Sequence, residues 1–491
     1  MTARYENLID GHDCPPAQGA YLDSENPWTT QVWAQIPRST PEDIDRAVAA
    51  ASAAFRNAAW AGISATKRAA LMRRLGDLVE ANAKELALAE VRDNGKTYTE
   101  MLRQMLNTAE WYRYYGGLCD KIEGRVIPVE APGHFNYTLR EPLGVIAMII
   151  PWNSPVRLLA WKLAPALAAG NTCVIKPSEH ASTSTLTFAR LVREAGFPDG
   201  VVNVVCGLGA EIGPALTDHP DIAKVAFTGG VGSGTAVYVA AAKRMRPATL
   251  ELGGKSPNIV FADADLDAAV QGVAGGIFAS GGQSCVAGSR LLVADAIHDA
   301  FVARLADVAR RIRMGDPMDA ATHVGPVANR PQFEHIMKMI SMARDEGATI
   351  ACGGESVTGA QGGLFVQPTI CTGVTADMRI AQEEVFGPVL SVLRFSTEEE
   401  AVALANSTRF GLGAGIWTTD VGRAHRMAAR VRSGSVWVNT YRMTSQTSPF
   451  GGFDLSGVGR EGGQAMIDAY LQTKSVWVNT TGVMAPAFPS L

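Results

Sequence analysis

The chain has 491 residues, 47% of them hydrophobic and 19% charged, so it can bury a large core, and its length predicts about three domains. Its 44 basic and 48 acidic residues give a formal net charge of -4, a balance that argues against nucleic acid or an anionic membrane as a partner. We therefore expect a globular protein that acts on a small molecule.

No apolar segment behind a basic start opens the chain, and the longest candidate membrane span, residues 145–150, ends at Pro151. Because a helix needs roughly 20 apolar residues to cross a bilayer, we predict neither a secretory signal nor a transmembrane helix and expect a cytoplasmic protein. The seven cysteines are too irregular for a disulfide framework and form no Cys-x-x-Cys pair, so no metal site is predicted.

Short β-branched runs alternate with helical patterns across residues 144–251, which is typical of a parallel α/β sheet. The connections between the runs are long enough for right-handed crossovers. The predicted strands are 145–150, 172–175, 201–205, 224–227 and 249–252, and the predicted helices are 157–169, 183–195 and 234–244.

A second α/β series follows residue 253, and a third set of strands and helices covers 389–439, so two successive α/β domains are predicted. The second series comprises strands 258–261 and 291–294 with helices 266–279 and 298–312. Near the chain end, residues 475–480 predict an exposed edge strand. Such an edge invites pairing with another subunit, so we expect a homo-oligomer.

A cysteine lies in a glycine-lined turn between a predicted helix and a predicted strand, in the sequence Gly-Gly-Gln-Ser-Cys at 281–285. A nucleophilic thiol needs such access to its ligand. A lone cysteine is more often a small buried hydrophobe, which is our interpretation of Cys173 and Cys206. The spacing around Cys285 alone leaves both interpretations open.

Glu251 ends an apolar strand in the sequence Thr-Leu-Glu-Leu-Gly-Gly-Lys at 249–255. Partial burial would raise its pKa towards the useful range of a general base. An ion pair between Glu251 and Lys255 explains the same segment, and this simpler interpretation is preferred on the segment alone.

Two further segments join strands to helices and have the composition of a phosphate or ribose site. The backbone N–H groups of the glycine-rich segment 227–234 can hold a pyrophosphate at a helix N-terminus, although tight packing also requires glycine. The carboxylate in Lys-Pro-Ser-Glu at 176–179 can bind the two hydroxyls of an adenosine ribose, or it can belong to a helix cap.

Together with Pro-Trp-Asn at 151–153 and Glu-Glu-Val-Phe-Gly-Pro at 383–388, these four segments resemble the aldehyde dehydrogenase superfamily over nearly the whole chain. They occur in the family's order, so independent coincidence is improbable. The resemblance implies an α/β fold with two Rossmann-like α/β domains plus a small β oligomerisation element, in a homodimer or homotetramer. It places the cofactor-binding domain at 1–123 and 143–252, the catalytic domain at 253–455 and the oligomerisation element at 124–142 and 467–491.

The resemblance also implies NAD(P)-dependent oxidation of an aldehyde to a carboxylic acid. Cys285 would attack the aldehyde to give a thiohemiacetal, whose oxyanion is held by the Asn153 amide and the backbone N–H of Cys285. Hydride transfer to the nicotinamide would leave a thioester, and Glu251 would activate the water that hydrolyses it.

For the cofactor, the resemblance implies that Lys176 and Glu179 contact the adenosine ribose and that Glu384 binds the nicotinamide ribose. A carboxylate at Glu179 repels a 2′-phosphate and favours NAD over NADP, although some relatives with this residue use both. Gly230 stands where many relatives have a serine that touches the pyrophosphate, which bears on cofactor affinity. The implied cofactor residues are Trp152, Lys176, Ser178, Glu179, Thr228, Gly229, Gly230, Gly234, Leu252, Glu384 and Phe386.

Two rival functions remain open at this point. A coenzyme A-acylating semialdehyde dehydrogenase on the same fold would release the thioester with a thiol, and Glu251 argues against it. A non-catalytic binding protein that retains the fold is the second rival, and the presence of Cys285, Asn153 and Glu251 argues against that.

The substrate's charge is the last expectation. The positions that would line the aldehyde tunnel hold arginines where relatives that oxidise hydrophobic aldehydes are mostly apolar, and Ser154 stands where an aromatic often does. Guanidinium groups suit a carboxylate, so we expect a semialdehyde or another anionic or polar aldehyde, the alternative being arginines tied in surface pairs. The candidate pocket residues are Arg103, Asn107, Arg157, Trp161, Arg442 and Phe450.

Overall fold

Two large sheets dominate the computed structural model, which describes residues 2–484. The last seven residues of the predicted oligomerisation element, 485–491, lie outside the described residues. Within residues 2–484, no helix has the length and apolar character that a membrane crossing requires.

The first sheet has eight strands, and its centre is parallel while antiparallel strands close both edges. In spatial order the strands are Gly457–Val458, Ala248–Glu251, Ile222–Thr228, Val145–Ile150, Thr172–Pro177, Val202–Val204, Asn7–Ile9 and His12–Cys14.

The chain order of this sheet reverses between Val145–Ile150 and Ile222–Thr228, because the connections from these neighbours lead to opposite sides. In open α/β sheets, ligands bind outside the carboxyl ends of the strands at such a reversal. The register pairs Thr228 with Glu251, so both of these residues end at that carboxyl edge.

The second sheet has seven strands, all parallel to their neighbours except the first. In spatial order they are Thr349–Cys352, Thr369–Thr372, Val389–Phe395, Arg290–Ala294, Pro257–Val260, Gly413–Trp417 and Ser435–Val438.

Helices cover the faces of both sheets, and Pro155–Ala169 is buried at every residue except Arg157. Long helices before residue 117 pack on the same core. The α-helices in residues 2–484 are Pro41–Arg56, Ala58–Ala61, Ala65–Ala81, Ala83–Asn94, Tyr98–Gly116, Pro155–Ala169, Thr183–Ala195, Gly209–Thr217, Val231–Lys243, Leu266–Phe278, His298–Arg310, Arg330–Asp345, Arg379–Gln382, Glu398–Ala405 and Val421–Arg430.

The final strand pairs along its whole length with a strand far earlier in the chain. Leu471–Asn479 runs antiparallel to His134–Pro142, which also pairs with Val126–Ile127, and the three strands form a separate sheet. The smaller strands are Ala3–Arg4, Tyr21–Glu25, Val32–Pro37, Ser356–Thr358, Leu364–Val366, Phe410–Gly411 and Phe453–Asp454.

The predicted α/β class is confirmed, and the strand at 145–150 and the helix at 183–195 have the predicted bounds. The helix ends there because Gly196 adopts φ +88°, which glycine tolerates best. The other predicted strands and helices of the two series differ from the observed ones by one or two residues at an end, and two predicted bounds are wrong by more. The helix predicted at 234 begins at Val231, since Gly230 is its extended N-cap, and the last strand starts four residues before 475 because its partner strand is nine residues long.

Candidate active site

A cavity of about 250 Å³ lies at the carboxyl edge of the first sheet, where the chain order reverses. The segments that follow the two central strands supply one wall, and the turn with Cys285 supplies another. The residues around the cavity are Pro151, Trp152, Asn153, Leu158, Thr228, Gly229, Gly230, Glu251, Leu252, Gly253, Cys285, Gln332, His335, Glu384 and Phe386.

The turn that carries Cys285 is built from backbone that only a glycine-rich sequence adopts easily. Gly281 and Gly282 have φ of +59° and +68°. A Cβ on Gly282 would lie 2.0 Å from the carbonyl oxygen of Gly387. The segment around Gly387 therefore presses directly on the turn and fixes the position of Cys285, which remains partly exposed to the cavity.

Asn153 is 7% exposed and is tied to the same turn. Its Nδ2 donates to the carbonyl oxygen of Gln283 at 3.2 Å. Because an amide nitrogen carries two hydrogens, one remains for an acceptor in the cavity that Asn153 and Cys285 share.

Glu251 is 5% exposed, and neither of its carboxylate oxygens has a hydrogen-bond partner among residues 2–484. Burial raises its pKa well above the ordinary value, and the Glu461 carboxylate adds to the rise while Lys162 and Arg460 oppose it. A Cβ on Gly451 would lie 2.7 Å from Oε1 of Glu251, so the backbone closes the space behind the carboxylate.

A buried ion pair lies beside Glu251. Lys162 is fully buried, and its Nζ donates to Oγ1 of Thr228 at 2.6 Å and to the carboxylate of Glu461. The Lys162 cation compensates the charge of Glu461, whereas Glu251 faces the cavity and can exchange protons with it.

The Cys285 thiol is a weak acid in this setting. Burial, with the Glu251 and Glu384 carboxylates adding to it, raises the pKa of Cys285 to about 12, and the Arg442 guanidinium opposes the rise. The thiol is therefore protonated near neutral pH and needs a proton acceptor before it can act as a nucleophile.

A second cleft of about 850 Å³ continues from the cavity and shares Trp152, Thr228, Gly229 and Gly230 with it. Its walls also include Lys176, Ser178 and Glu179, together with Gly209, Gly213 and Val237, which the sequence analysis did not single out. The combined space is elongated and has the size of a cofactor site.

Glu179 is oriented by its neighbours in this cleft. Oε2 lies 3.1 Å from Nζ of Lys176, and Oε1 accepts from the backbone N–H of Gly209 at 3.2 Å. Burial alone raises the pKa of Glu179, but Lys176 and the backbone donors outweigh it and lower the pKa. The carboxylate is thus ionised and held ready for hydroxyl donors.

Glu384 lines the first cavity, with which the cleft is continuous. Its Oε1 accepts from the backbone N–H of Gly254 at 3.0 Å, and burial raises its pKa to about 7 against that hydrogen bond and Lys255. Trp152 and Phe386 meet edge to face there, with ring centroids 5.3 Å apart.

The two glycines predicted near a pyrophosphate differ in their surroundings. A Cβ on Gly230 would meet no atom within 4 Å, so this position borders open space. A Cβ on Gly234 would lie 2.4 Å from Cδ2 of Leu252. Gly234 is thus needed for packing of the helix on the strand end, and Leu252 itself lines the cavity.

On the opposite side of the thiol, Arg157 and Arg442 are half-buried. Arg157 donates to Oγ1 of Thr444 at 2.7 Å and lies over the Trp161 ring. Its pKa is lowered by burial and then by the charge of Arg442. The ring of Phe450 meets Trp161 edge to face, at 5.0 Å between centroids.

Trp161 and Phe450 line a third cavity, of about 310 Å³, that also includes Trp111 and Trp437. Arg103 and Asn107 are exposed on the helix Tyr98–Gly116 and line none of the three spaces described. The structure therefore brings four of the six candidate pocket residues together.

Several residues of the site carried no recognised signal in the sequence. Gln332 and His335 reach the cavity from the helix Arg330–Asp345. Lys162, on the largely apolar helix Pro155–Ala169, contacts Thr228 in the cavity wall. A lysine inside such a helix is the one sign that could have indicated a buried ion pair.

The chain matches the model of the aldehyde dehydrogenase family over residues 15–476. Among curated proteins it is 48% identical to (Z)-2-((N-methylformamido)methylene)-5-hydroxybutyrolactone dehydrogenase of Acinetobacter baylyi, over 94% of each chain. It is 44% identical to betaine aldehyde dehydrogenase of Cereibacter sphaeroides, over 98% of each.

Solved structures of aldehyde dehydrogenases are also similar to this chain. An aldehyde dehydrogenase from Bacillus cereus in complex with NAD+ is 43% identical with a TM-score of 0.95, covering 97% of this chain and 96% of that one. Betaine aldehyde dehydrogenase of Staphylococcus aureus in complex with NAD+ is 38% identical with a TM-score of 0.97, covering 98% and 96%.

The turn geometry predicts unequal effects of two neighbouring substitutions. Gly281→Ala adds only backbone strain, about 1–2 kcal/mol, because its nearest neighbour is the end of the Gln283 side chain at 3.3 Å. Gly282→Ala also collides with the Gly387 backbone, so we expect a larger loss in urea unfolding and slower alkylation of Cys285, measured by peptide mass spectrometry. Equal effects of the two substitutions would contradict this account of the turn.

Proposed function

The chain belongs to the aldehyde dehydrogenase family, and from that premise we propose that Cys285, Asn153 and Glu251 carry out its reaction. The protein is an oxidoreductase that converts an aldehyde to a carboxylic acid with NAD. The observation that carries the residue assignment is the shared cavity. In it, a partly exposed thiol faces the same space as a buried carboxylate that no group in the described part of the chain hydrogen-bonds.

In the proposed reaction, water in the cavity takes the proton of the Cys285 thiol, so that Glu251 stays available for the hydrolysis that follows. A raised pKa makes Glu251 a stronger base than an ordinary glutamate. The sulfur then bonds to the aldehyde carbon, and the carbonyl oxygen becomes an oxyanion held by Asn153 Nδ2 and the backbone N–H of Cys285. Removal of one such donor typically costs about 10²–10³ in rate.

NAD, when bound, supplies the acceptor for the hydride that leaves the same carbon. The carbon is then a thioester on Cys285, and Glu251 takes a proton from the water that attacks it. The carbon–sulfur bond breaks, the acid leaves and the thiol regains a proton. Release to coenzyme A is not favoured, because the buried base serves water.

Residues around the second cleft fit NAD. We propose that Glu179, with Lys176, binds the adenosine ribose and that Glu384 binds the nicotinamide ribose, because each carboxylate lies at one end of the space. The first sheet with its helices, 1–123 and 143–252, would form the cofactor-binding domain, and 253–455 the catalytic domain.

The aldehyde itself is proposed to be anionic or polar. Within residues 2–484, neither Arg157 nor Arg442 lies within ion-pair distance of a carboxylate. Arg442 is nevertheless close enough to oppose the rise in the pKa of Cys285. Two half-buried cations without a counter-ion suit a carboxylate on the substrate and disfavour a cationic aldehyde.

A homodimer or homotetramer in the cytoplasm completes the proposal. The three-stranded sheet at 126–142 and 471–479 ends in the edge strand Leu471–Asn479, on which Trp477 and Val478 are exposed, and Phe135 is exposed on the neighbouring strand. An exposed apolar edge of this kind is stabilised by pairing with a second copy.

Removal of the nucleophile tests the central assignment. Cys285→Ala should lower NADH formation by at least about a thousandfold, while thermal unfolding and binding of NAD, followed by protein fluorescence, stay close to those of the unaltered enzyme. As a matched control, Cys352→Ala changes another partly exposed thiol and should keep full turnover. Substantial turnover in Cys285→Ala would overturn the assignment.

Loss of the base should separate the two halves of the reaction. We expect Glu251→Gln to give a burst of NADH followed by steady-state turnover reduced about 10²–10⁴-fold. Since the folded pKa of Glu251 is raised, steady-state kcat of the unaltered enzyme should rise with pH across a limb well above pH 4.5, and the variant should lack that limb. Equal loss of burst and steady state would argue against a base for hydrolysis.

The cofactor preference has its own test. Glu179→Ala removes the repulsion of a 2′-phosphate and frees Lys176 to bind it, so the ratio of kcat/KM for NAD over NADP should fall about tenfold or more. Glu194→Ala, an exposed glutamate on the next helix, is the control. An unchanged ratio in Glu179→Ala would mean that this carboxylate does not distinguish NAD from NADP.

The charge of the substrate is tested with two aldehydes of equal length, butanal and its four-carbon analogue with a terminal carboxylate. Arg442→Ala should lower kcat/KM for the carboxylate about 10- to 100-fold more than for butanal. Arg56→Ala, which removes an exposed arginine on another helix, is the control. If both aldehydes lose equally, the anionic substrate is wrong.

A further inference from the structure

Ser280 and Arg442 share an uncommon backbone conformation and touch each other. Their φ angles are +58° and +63°, a region that costs a residue other than glycine about 1–3 kcal/mol and persists only where the surroundings hold it. Nη2 of Arg442 lies 3.5 Å from Oγ of Ser280. The contacts that hold Ser280 in place therefore also affect the position of the Arg442 guanidinium.

Ser280 is held by a carboxylate. It is 6% exposed, and its Oγ donates to Oε1 of Glu100. The same oxygen of Glu100 accepts from Nε2 of Gln104 at 3.1 Å and lies 3.9 Å from Nζ of Lys96. Ser280 donates its hydroxyl hydrogen to Glu100, so the lone pairs of the Ser280 oxygen can accept from Arg442.

The other contacts of Arg442 are carbonyl oxygens. Nη1 lies 3.4 Å from the oxygens of Gly275 and Ala279, at the C-terminal end of the helix Leu266–Phe278, where the helix dipole is negative. Neutral acceptors orient the guanidinium without cancelling its charge. Among residues 2–484, Glu100 is linked to the guanidinium by hydrogen bonds through Ser280 and forms no direct ion pair with it.

We propose that Ser280, oriented by Glu100, is a positioning residue that aims Arg442 at the anionic group of the substrate. The inference rests on the proposed preference for an anionic aldehyde and adds residues that touch no substrate. It explains why a strained serine occupies this place when glycine would adopt the same backbone at lower cost.

Ser280→Gly tests this, since glycine keeps the backbone conformation and removes only the hydroxymethyl group. With the same pair of aldehydes, the ratio of kcat/KM for the carboxylate over butanal should fall about tenfold, and the change should appear in KM for the carboxylate more than in kcat. Glu100→Gln keeps an acceptor for Ser280 and should give a smaller fall. Met245→Gly, which relaxes another positive φ at an exposed residue, should leave the ratio unchanged.

The double variant Ser280→Gly with Arg442→Ala separates the two proposals. If Ser280 acts through Arg442, the serine change should add nothing to the ratio once Arg442 is gone. If Arg442→Ala alone lowers the ratio but Ser280→Gly does not, the positioning role is wrong while the anionic substrate stands. If Arg442→Ala leaves the ratio unchanged, the anionic substrate is wrong, and the positioning role is wrong with it.

Discussion

A buried carboxylate with no hydrogen-bond partner among residues 2–484 dominates the physical chemistry of this site. An unsatisfied buried polar group costs about 1–3 kcal/mol, and more when it is charged, so the fold must hold Glu251 in place by other means. It does so with the register of the first sheet, which ends Glu251 beside Thr228, and with the backbone of Gly451 behind the carboxylate. The cost falls on stability, and the gain is a carboxylate whose pKa is raised well above that of an ordinary glutamate.

Close packing of the backbone also fixes the rest of the cavity. Gly282 packs against Gly387, and a Cβ on Gly253 would lie 1.9 Å from Oε2 of Glu384, so backbone approaches backbone or carboxylate wherever the proposed reacting groups meet. The Arg442 guanidinium supplies positive charge near the thiol and opposes the rise in the pKa of Cys285. In the proposed arrangement, the carboxylates Glu179 and Glu384 lie on the cofactor side and the guanidinium groups of Arg157 and Arg442 on the aldehyde side.

Local patterns predicted the strands and helices whose ends are marked by glycine or proline. The helix at 183–195 ends at Gly196, and the strand at 145–150 ends before Pro151. The cavity required more, because Cys285, Glu251 and Asn153 are distant in the chain, and it was the order of several motifs that predicted their meeting. Arg103 and Asn107 show what the local pattern could not predict, which is the direction of a side chain. Both residues lie on the helix Tyr98–Gly116, where the packing of Gln104 and Thr108 turns them towards solvent. Nothing local to Ser280 indicated its contact with Glu100, which is 180 residues away.

Detection of the covalent intermediate tests the account most directly. The Glu251→Gln enzyme would be mixed with NAD and an aldehyde, quenched in acid within seconds, digested and analysed by mass spectrometry. The account predicts an acyl group on the peptide that contains Cys285, close to one per active site and equal to the NADH formed in the burst. NADH formation without an acyl group on Cys285, or with the acyl group on another residue, would contradict it.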